Sequence, residues 1–408
     1  MSNPTVDFLK VVLIFALVLS LIRNKVNLGI AMAVSAVALG LLFQVPPVQL
    51  GRIALESTFD VGTLELAAAL VLIMFLERLM RRALLLQKMV SAVTVLAKDR
   101  RIAMAMLPAF IGLLPSVGGA YFSAPMVDEA SQGLTLSAER KSFINLWYRH
   151  LWEWVSPLYP SVILTAQIAQ VPLDKIIATQ LPFTLVAVLV GIPIGFHGIG
   201  GQFSSGAGVD RRQHLRNLAT GLGPILAIMV MVIVLRINIA IALLLAGIGV
   251  TFLGSYSPAG AFKVIREAFS PSLVLLVLGI MFFKWVLMRT GAVESLPAFF
   301  GSIGIPLLLV VFLLPFIVGA MTGILQAPVG ITIPIVAGLG GAGGADLRLV
   351  SFAFVSAFAG VMVSPAHMCI VLTVEHFKAD FGKVARLMLI PLSAIVLAGA
   401  LLYLLSRG

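Results

Sequence analysis

Val155-Ser156-Pro157 recurs 208 residues later as Val363-Ser364-Pro365, and Leu164-Thr165 recurs at the same interval as Leu372-Thr373. Each copy lies inside an apolar stretch. Proline removes a backbone donor and kinks the helix that carries it, so the pattern predicts two interrupted helices at matched depth in a duplicated chain. Paired broken helices are how membrane carriers build a site at the bilayer midplane.

The surrounding composition places those stretches in a membrane. Of the 408 residues 60% are hydrophobic and 11% charged, with a mean hydropathy of +1.09, outside the range of soluble domains. The net charge of +11 is spread through inter-helix loops rather than gathered on a polar domain, so it reads as membrane orientation and not as a nucleic-acid surface. Residues 1–22 lack the cleavage pattern of a signal peptide and read as a retained first span. A single cysteine, Cys369, excludes an internal disulfide framework and a multi-cysteine metal site.

Apolar runs of about 20 residues predict spans near 6–22, 27–44, 61–78, 142–170 and 175–196, then 217–235, 238–254, 270–289, 346–373 and 384–405. The stretches 102–135 and 304–340 hold too many mid-segment glycines, prolines and polar residues for simple spans and read as re-entrant hairpins. Arg78, Arg81, Arg82, Lys88, Lys98, Arg100 and Arg101 fix the side after the third span as cytoplasmic, and alternate counting puts both termini outside. Five spans per half is an odd number, so the second half is expected upside down relative to the first. The fold class is therefore an all-α polytopic membrane protein of two inverted repeats, 1–196 and 217–408, joined by a cytoplasmic linker at 197–216. Asn27 with Asn238, Pro108 with Pro315, Gly112 with Gly319 and Lys175 with Lys383 are further matched landmarks. Stretches 84–98 and 292–303 read as interfacial helices.

Candidate site residues lie at the hairpin tips and breaks. The first tip offers Ser116, Gly118, Gly119, Tyr121 and Ser123; the second offers Thr322, Gln326 and Thr332. Glycines there let backbone N–H groups of a following helix approach an anion, although small residues also serve tight helix packing. From the breaks come Ser156, Tyr159, Ser364 and His367. Arg149 and Glu153 stand four apart, the spacing of a helix-face pair, with His150 beside them; they read equally as site residues or as an interfacial anchor flanked by tryptophans. His367 is the preferred proton-sensitive group, being titratable near neutral pH and placed at a break. Glu65, Asp128, Glu129 and Lys284 are weaker candidates.

With Tyr148-Arg149-His150-Leu151-Trp152-Glu153, Pro157-Leu158-Tyr159-Pro160 and Ser364-Pro365-Ala366-His367-Met368-Cys369, the whole chain resembles an uncharacterised integral-membrane family of the ion transporter superfamily, related to sodium/dicarboxylate symporters and gluconate permeases. The resemblance implies an elevator-like movement of a transport domain against a scaffold that dimerises. Dicarboxylate carriers of that superfamily have a Ser-Asn-Thr signature in each tip. This chain has Ser116-Val117-Gly118 and Thr322-Gly323 instead, so the resemblance assigns no particular substrate.

The expectation is a secondary active transporter of a small hydrophilic, organic anion, with no cofactor other than a proton or sodium as coupling ion. Its partners are the lipid bilayer, the anion and a second copy of the chain. A cation/proton exchanger using Glu153 or Glu65 is the alternative. An intramembrane enzyme using Ser364 and His367 is the third reading, weakened by Pro365 between them and by the lack of an orienting third group.

Overall fold

The computed structural model describes residues 4–97, 99–115, 119–200, 210–254, 256–292, 296–339 and 344–405, and these are helical with no strand among them. In the first half the helices are α1 (Pro4–Arg23), α2 (Leu28–Leu42), α3 (Pro47–Phe59), α4 (Val61–Arg82), α5 (Leu85–Leu96), α6 (Arg100–Ile111), α7 (Gly119–Ala130), α8 (Ala138–Arg149), α9 (Pro160–Ala169) and α10 (Leu173–Phe196). In the second they are α11 (Arg211–Met229, continued by a π turn over Val230–Val234), α12 (Ile239–Leu253), α13 (Pro258–Ala268), α14 (Pro271–Thr290), α15 (Leu296–Ser302), α16 (Leu307–Thr322), α17 (Gln326–Gly338), α18 (Leu347–Met362), α19 (Met368–Phe377) and α20 (Phe381–Leu404).

Among the described residues five helices are long and apolar enough to cross a bilayer: α1, α10, α11 with its π turn, α14 and α20. Helices α3 and α4, bent by 51° where they meet, add a sixth if they form one broken span. The chain is a multi-pass membrane protein. Expected spans 27–44 and 238–254 are the 15-residue helices α2 and α12, each only about 22 Å long at 1.5 Å per residue. Stretches 142–170 and 346–373 are split, into α8 with α9 and α18 with α19. Helices α3 and α13 lie where the sequence reading placed no element. The Pro46-Pro47 and Ser257-Pro258 pairs look like breakers, but proline at a first helical position is preorganised for helix, and Ser257 also caps α13 by accepting from Gly260 N.

Elements of the two halves correspond at nearly the same interval, and for the last two pairs at the same one. Helices α9 and α19 both have 10 residues and α10 and α20 both have 24, with each pair starting 208 positions apart. Helices α9 and α19 both stop at a left-handed residue, Gln170 at φ 55° and Lys378 at φ 53°. Asn27 and Asn238 both cap the helix they precede, accepting from Gly29 N and Ala240 N respectively.

Packing is reciprocal in the same sense: α2 lies against α14 and α12 against α4, α3 against α14 and α13 against α4, α5 against α11 and α15 against α1. Further along, α7 lies against α19 and α17 against α9. The helices thereby sort into two groups, α1–α5 with α11–α15 and α6–α10 with α16–α20. At the centre of the second group is α18, buried at every residue from Leu349 to Met362. Its small residues let α16 come to backbone distance: a Cβ on Gly360 would stand 2.0 Å from Phe316 O, and one on Gly319 would stand 2.5 Å from Ala357 O. The first half repeats this contact where α6 meets α8, a Cβ on Gly112 lying 1.9 Å from Arg149 O.

Candidate functional site

Both helix breaks are built on one turn, and the repeated Ser-Pro pair makes it. Ser156 Oγ accepts from Leu158 N at 3.3 Å, and Ser364 Oγ accepts from Ala366 N at 3.2 Å. The carbonyls of the same serines accept from Tyr159 N and His367 N, each at 3.1 Å. Proline after the serine has no N–H to place, so the turn leaves few donors unsatisfied, and α9 and α19 restart immediately beyond it.

The breaks differ in where the preceding helix stops. Helix α18 runs to Met362, two residues before its serine, whereas α8 ends at Arg149, seven before. His150 explains the early stop. Its ring Nδ1 takes Leu146 O at 2.6 Å, the acceptor that a continuing α-helix would give to its own N–H, and that N–H turns to Trp147 O at 3.2 Å. Residues 150–159 are therefore non-helical, so Arg149 and Glu153 are not the helix-face pair that their spacing predicts.

The two breaks meet at a buried polar cluster. His367 Nδ1 faces Gly323 O at 2.8 Å, and its Nε2 stands 3.2 Å from His150 Nε2. Arg149 Nη1 donates to Cys369 Sγ at 3.1 Å and lies 3.4 Å from His150 Nε2. Glu153 Oε1 is 3.8 Å from the same nitrogen. Arg149 is only 3% exposed, its guanidinium held within the protein core. Asn145 adds a further link between halves, its Nδ2 donating to Thr373 Oγ1 at 2.9 Å.

The ends of α6 and α16 are each tied to the break that follows in the chain. Tyr159 donates its hydroxyl to Gly112 O at 2.5 Å, and Ser364 donates to Ala320 O at 2.6 Å. Gly323, at φ 67°, packs so closely on the second break that a Cβ would stand 2.5 Å from the Ala366 carbonyl carbon.

Of the residues expected at the site, Arg149, Glu153, Tyr159, Ser364 and His367 come together at the breaks, with Ser156 shaping the turn. Ser116 and Gly118 lie outside the described residues. The others lie away from this cluster or bond within their own helices. Tyr121 is 60% exposed and stacks edge-on with Phe122, because it points off the outer face of α7. Ser123, Thr322 and Thr332 donate to carbonyls in their own helices, Gly119 O, Val318 O and Pro328 O, a local bond that satisfies a hydroxyl in an apolar setting. Gly119 opens α7, and Gln326 opens α17 half-buried. Both His367 nitrogens are engaged away from Ser364, so those two residues do not form a nucleophile–base contact.

Among the weaker candidates, Glu65 lines a separate cleft of about 510 Å³ with Gln167, Lys175 and Arg236. Lys284 is buried and donates to Gln167 O at 2.9 Å, and Asp128 pairs with Lys141 at 2.6 Å. His150 and Cys369 are the cluster members that the sequence reading did not assign. Their only sequence signal is adjacency, His150 to Arg149 and Cys369 to the Ser364–His367 turn.

The chain belongs to the family described as Protein of unknown function (DUF401), whose match spans residues 5–406. No curated protein matches the sequence.

Proposed function

We propose that this DUF401 chain is a secondary active transporter of a small hydrophilic, organic anion, coupled to a proton or sodium gradient and working by elevator-type alternating access. The observation that carries this reading is the meeting of two helix breaks, one from each half, around a buried guanidinium. Helices α9, α17 and α19 begin there or at the adjoining hairpin without a side-chain cap. Their N-terminal N–H groups and partial positive charge add to Arg149 in favouring an anion, while carbonyls released by the breaks suit a coupling cation.

The nearly equal offsets, matched caps and reciprocal packing support an arrangement of two inverted repeats, 1–196 and 217–408, with re-entrant hairpins at 102–135 and 304–340 and a cytoplasmic linker at 197–216. Helices α1–α5 and α11–α15 are then the scaffold, through which the chain dimerises, and the other group is the moving domain. The positive-inside bias supports both termini outside, in a cell inner or plasma membrane. We assign the chain no enzymatic step, and Arg149, Glu153 and His367 are the residues placed at coupling.

Purified protein in liposomes tests the reading by uptake of labelled mono- and dicarboxylates under imposed proton or sodium gradients. Uptake of a carboxylate that Arg149→Met abolishes is the expected result. Glu153, a carboxylate beside His150 inside the core, favours cation/proton exchange as the second reading. Absence of anion flux, with cation-driven collapse of a pH gradient that Glu153→Gln stops, selects that exchanger.

A further inference from the structure

Each histidine of the cluster turns Nδ1 to a main-chain carbonyl, His150 to Leu146 O and His367 to Gly323 O. A carbonyl only accepts, so in the neutral rings Nδ1 carries the proton and both Nε2 atoms are acceptors, that of His150 with Arg149 Nη1 at 3.4 Å. The two acceptor nitrogens face each other at 3.2 Å. Two acceptors at this separation suit a cation held between them. A carbonyl behind Nδ1 is also how metal sites fix the tautomer and aim of a ligating histidine.

The third donor is Cys369. Its Sγ and the two histidine donor atoms lie within 4.8 Å of one another, all in buried residues. Two zinc–nitrogen bonds of about 2.0–2.1 Å at a tetrahedral angle separate their nitrogens by about 3.3 Å, which the observed 3.2 Å matches. Glu153 Oε1 lies 3.8 Å from His150 Nε2, beside the three donors but outside their group. Arg149 Nη1 already places positive charge against two of these donors.

We propose that His150, His367 and Cys369 form a three-donor site for a borderline-soft divalent transition-metal ion of the Zn²⁺ class, bridging the two helix breaks and leaving the fourth position to water. Nitrogen and sulfur donors select such an ion over Na⁺, Mg²⁺ or Ca²⁺. On binding, the Cys369 thiol gives its proton to solvent as the metal–sulfur bond forms, and Arg149 withdraws from Sγ and from His150 Nε2. The site stands independently of the transport reading, since it needs only these side chains.

The full-length chain in detergent, freed of any affinity tag and treated with a chelator, is titrated with Co²⁺. One equivalent is expected to give visible bands of tetrahedral intensity and a near-ultraviolet thiolate-to-cobalt band, both bleached by Zn²⁺. Cys369 is the only cysteine in the chain, so that ultraviolet band reports it alone. Cys369→Ser is expected to remove the band, and His150→Gln or His367→Gln to weaken Co²⁺ binding at least about tenfold. Wild-type protein that gives no thiolate band overturns the proposal, whether or not the variants fold. So does a band that survives in Cys369→Ser, or equal Co²⁺ affinity in both folded histidine variants.

Discussion

The first and second helix breaks share a Ser-Pro turn yet hold different contents. In the second, α18 stays helical to within two residues of Ser364, and Pro365, Ala366 and Met368 are exposed. In the first, α8 ends seven residues before Ser156, and the extra unwound segment carries His150 and Glu153 directly after Arg149, with its turn buried. The first break is thus longer than the second by more than a turn of helix, on the side where the charged groups sit. The exposed break is the accessible partner, and the buried one holds the guanidinium.

The sharpest way to break this comparison is to remove that charge. Arg149→Met is expected to cost about 3–5 kcal/mol, as for other buried ionic networks that lose one member, measured by thermal unfolding in detergent alongside loss of anion uptake. A variant as stable as the parent would mean that the first break does not depend on its charge.

Next come the glycines where each hairpin meets its own half. Gly112→Ala drives a Cβ to 1.9 Å from Arg149 O, while Gly319→Ala reaches only 2.5 Å from Ala357 O. Both overpack, by about 1–3 kcal/mol or more, and Gly112→Ala is expected to lower the melting temperature further. The reverse order would show that the second break, not the first, is the tighter joint.

Smaller effects follow at the hydroxyls. Tyr159→Phe strands the Gly112 carbonyl in a buried setting, and Ser364→Ala strands that of Ala320, which is half-exposed. The first is expected to cost about 1–3 kcal/mol and the second less, since water can reach the Ala320 carbonyl. Denaturant unfolding of the two variants side by side checks the order.

The smallest lies outside the breaks, where α6 is capped by Asp99 and α16 begins after Pro306 with no side-chain cap. The side-chain hydrogen bond from Arg101 holds the Asp99 carboxyl below its usual 3.8. A depressed folded-state value adds stability above the unfolded pKa and loses it as pH falls through the folded one. The exposed pair is worth about 0.2–1 kcal/mol, so melting curves of Asp99→Ala and the parent should differ by a degree or two near neutrality and converge below pH 4.

Much of this was legible in the residues. Apolar length and polar punctuation located the long spans and both interrupted stretches, because burial in lipid demands unbroken apolar runs and backbone bonds satisfied within the helix. The Ser-Pro repeat located both turns. The Arg149–Glu153 spacing misled, since i, i+4 geometry presumes a helix, and His150 ends that helix by taking a carbonyl with its own ring. The exposure of Tyr121 was not legible, because glycine-rich surroundings say nothing about which face of α7 looks outward.

By itself the sequence determined that the chain lives in a membrane and that two apolar stretches, 208 residues apart, each carry a Ser-Pro interruption; these follow from composition and local backbone chemistry. Only the tertiary structure decided that Arg149 is buried within the protein and that His150, His367 and Cys369 stand together. Those partners are separated by more than two hundred residues, and no local rule carries the approach of α8 to α19, which is set by how the two halves close on one another.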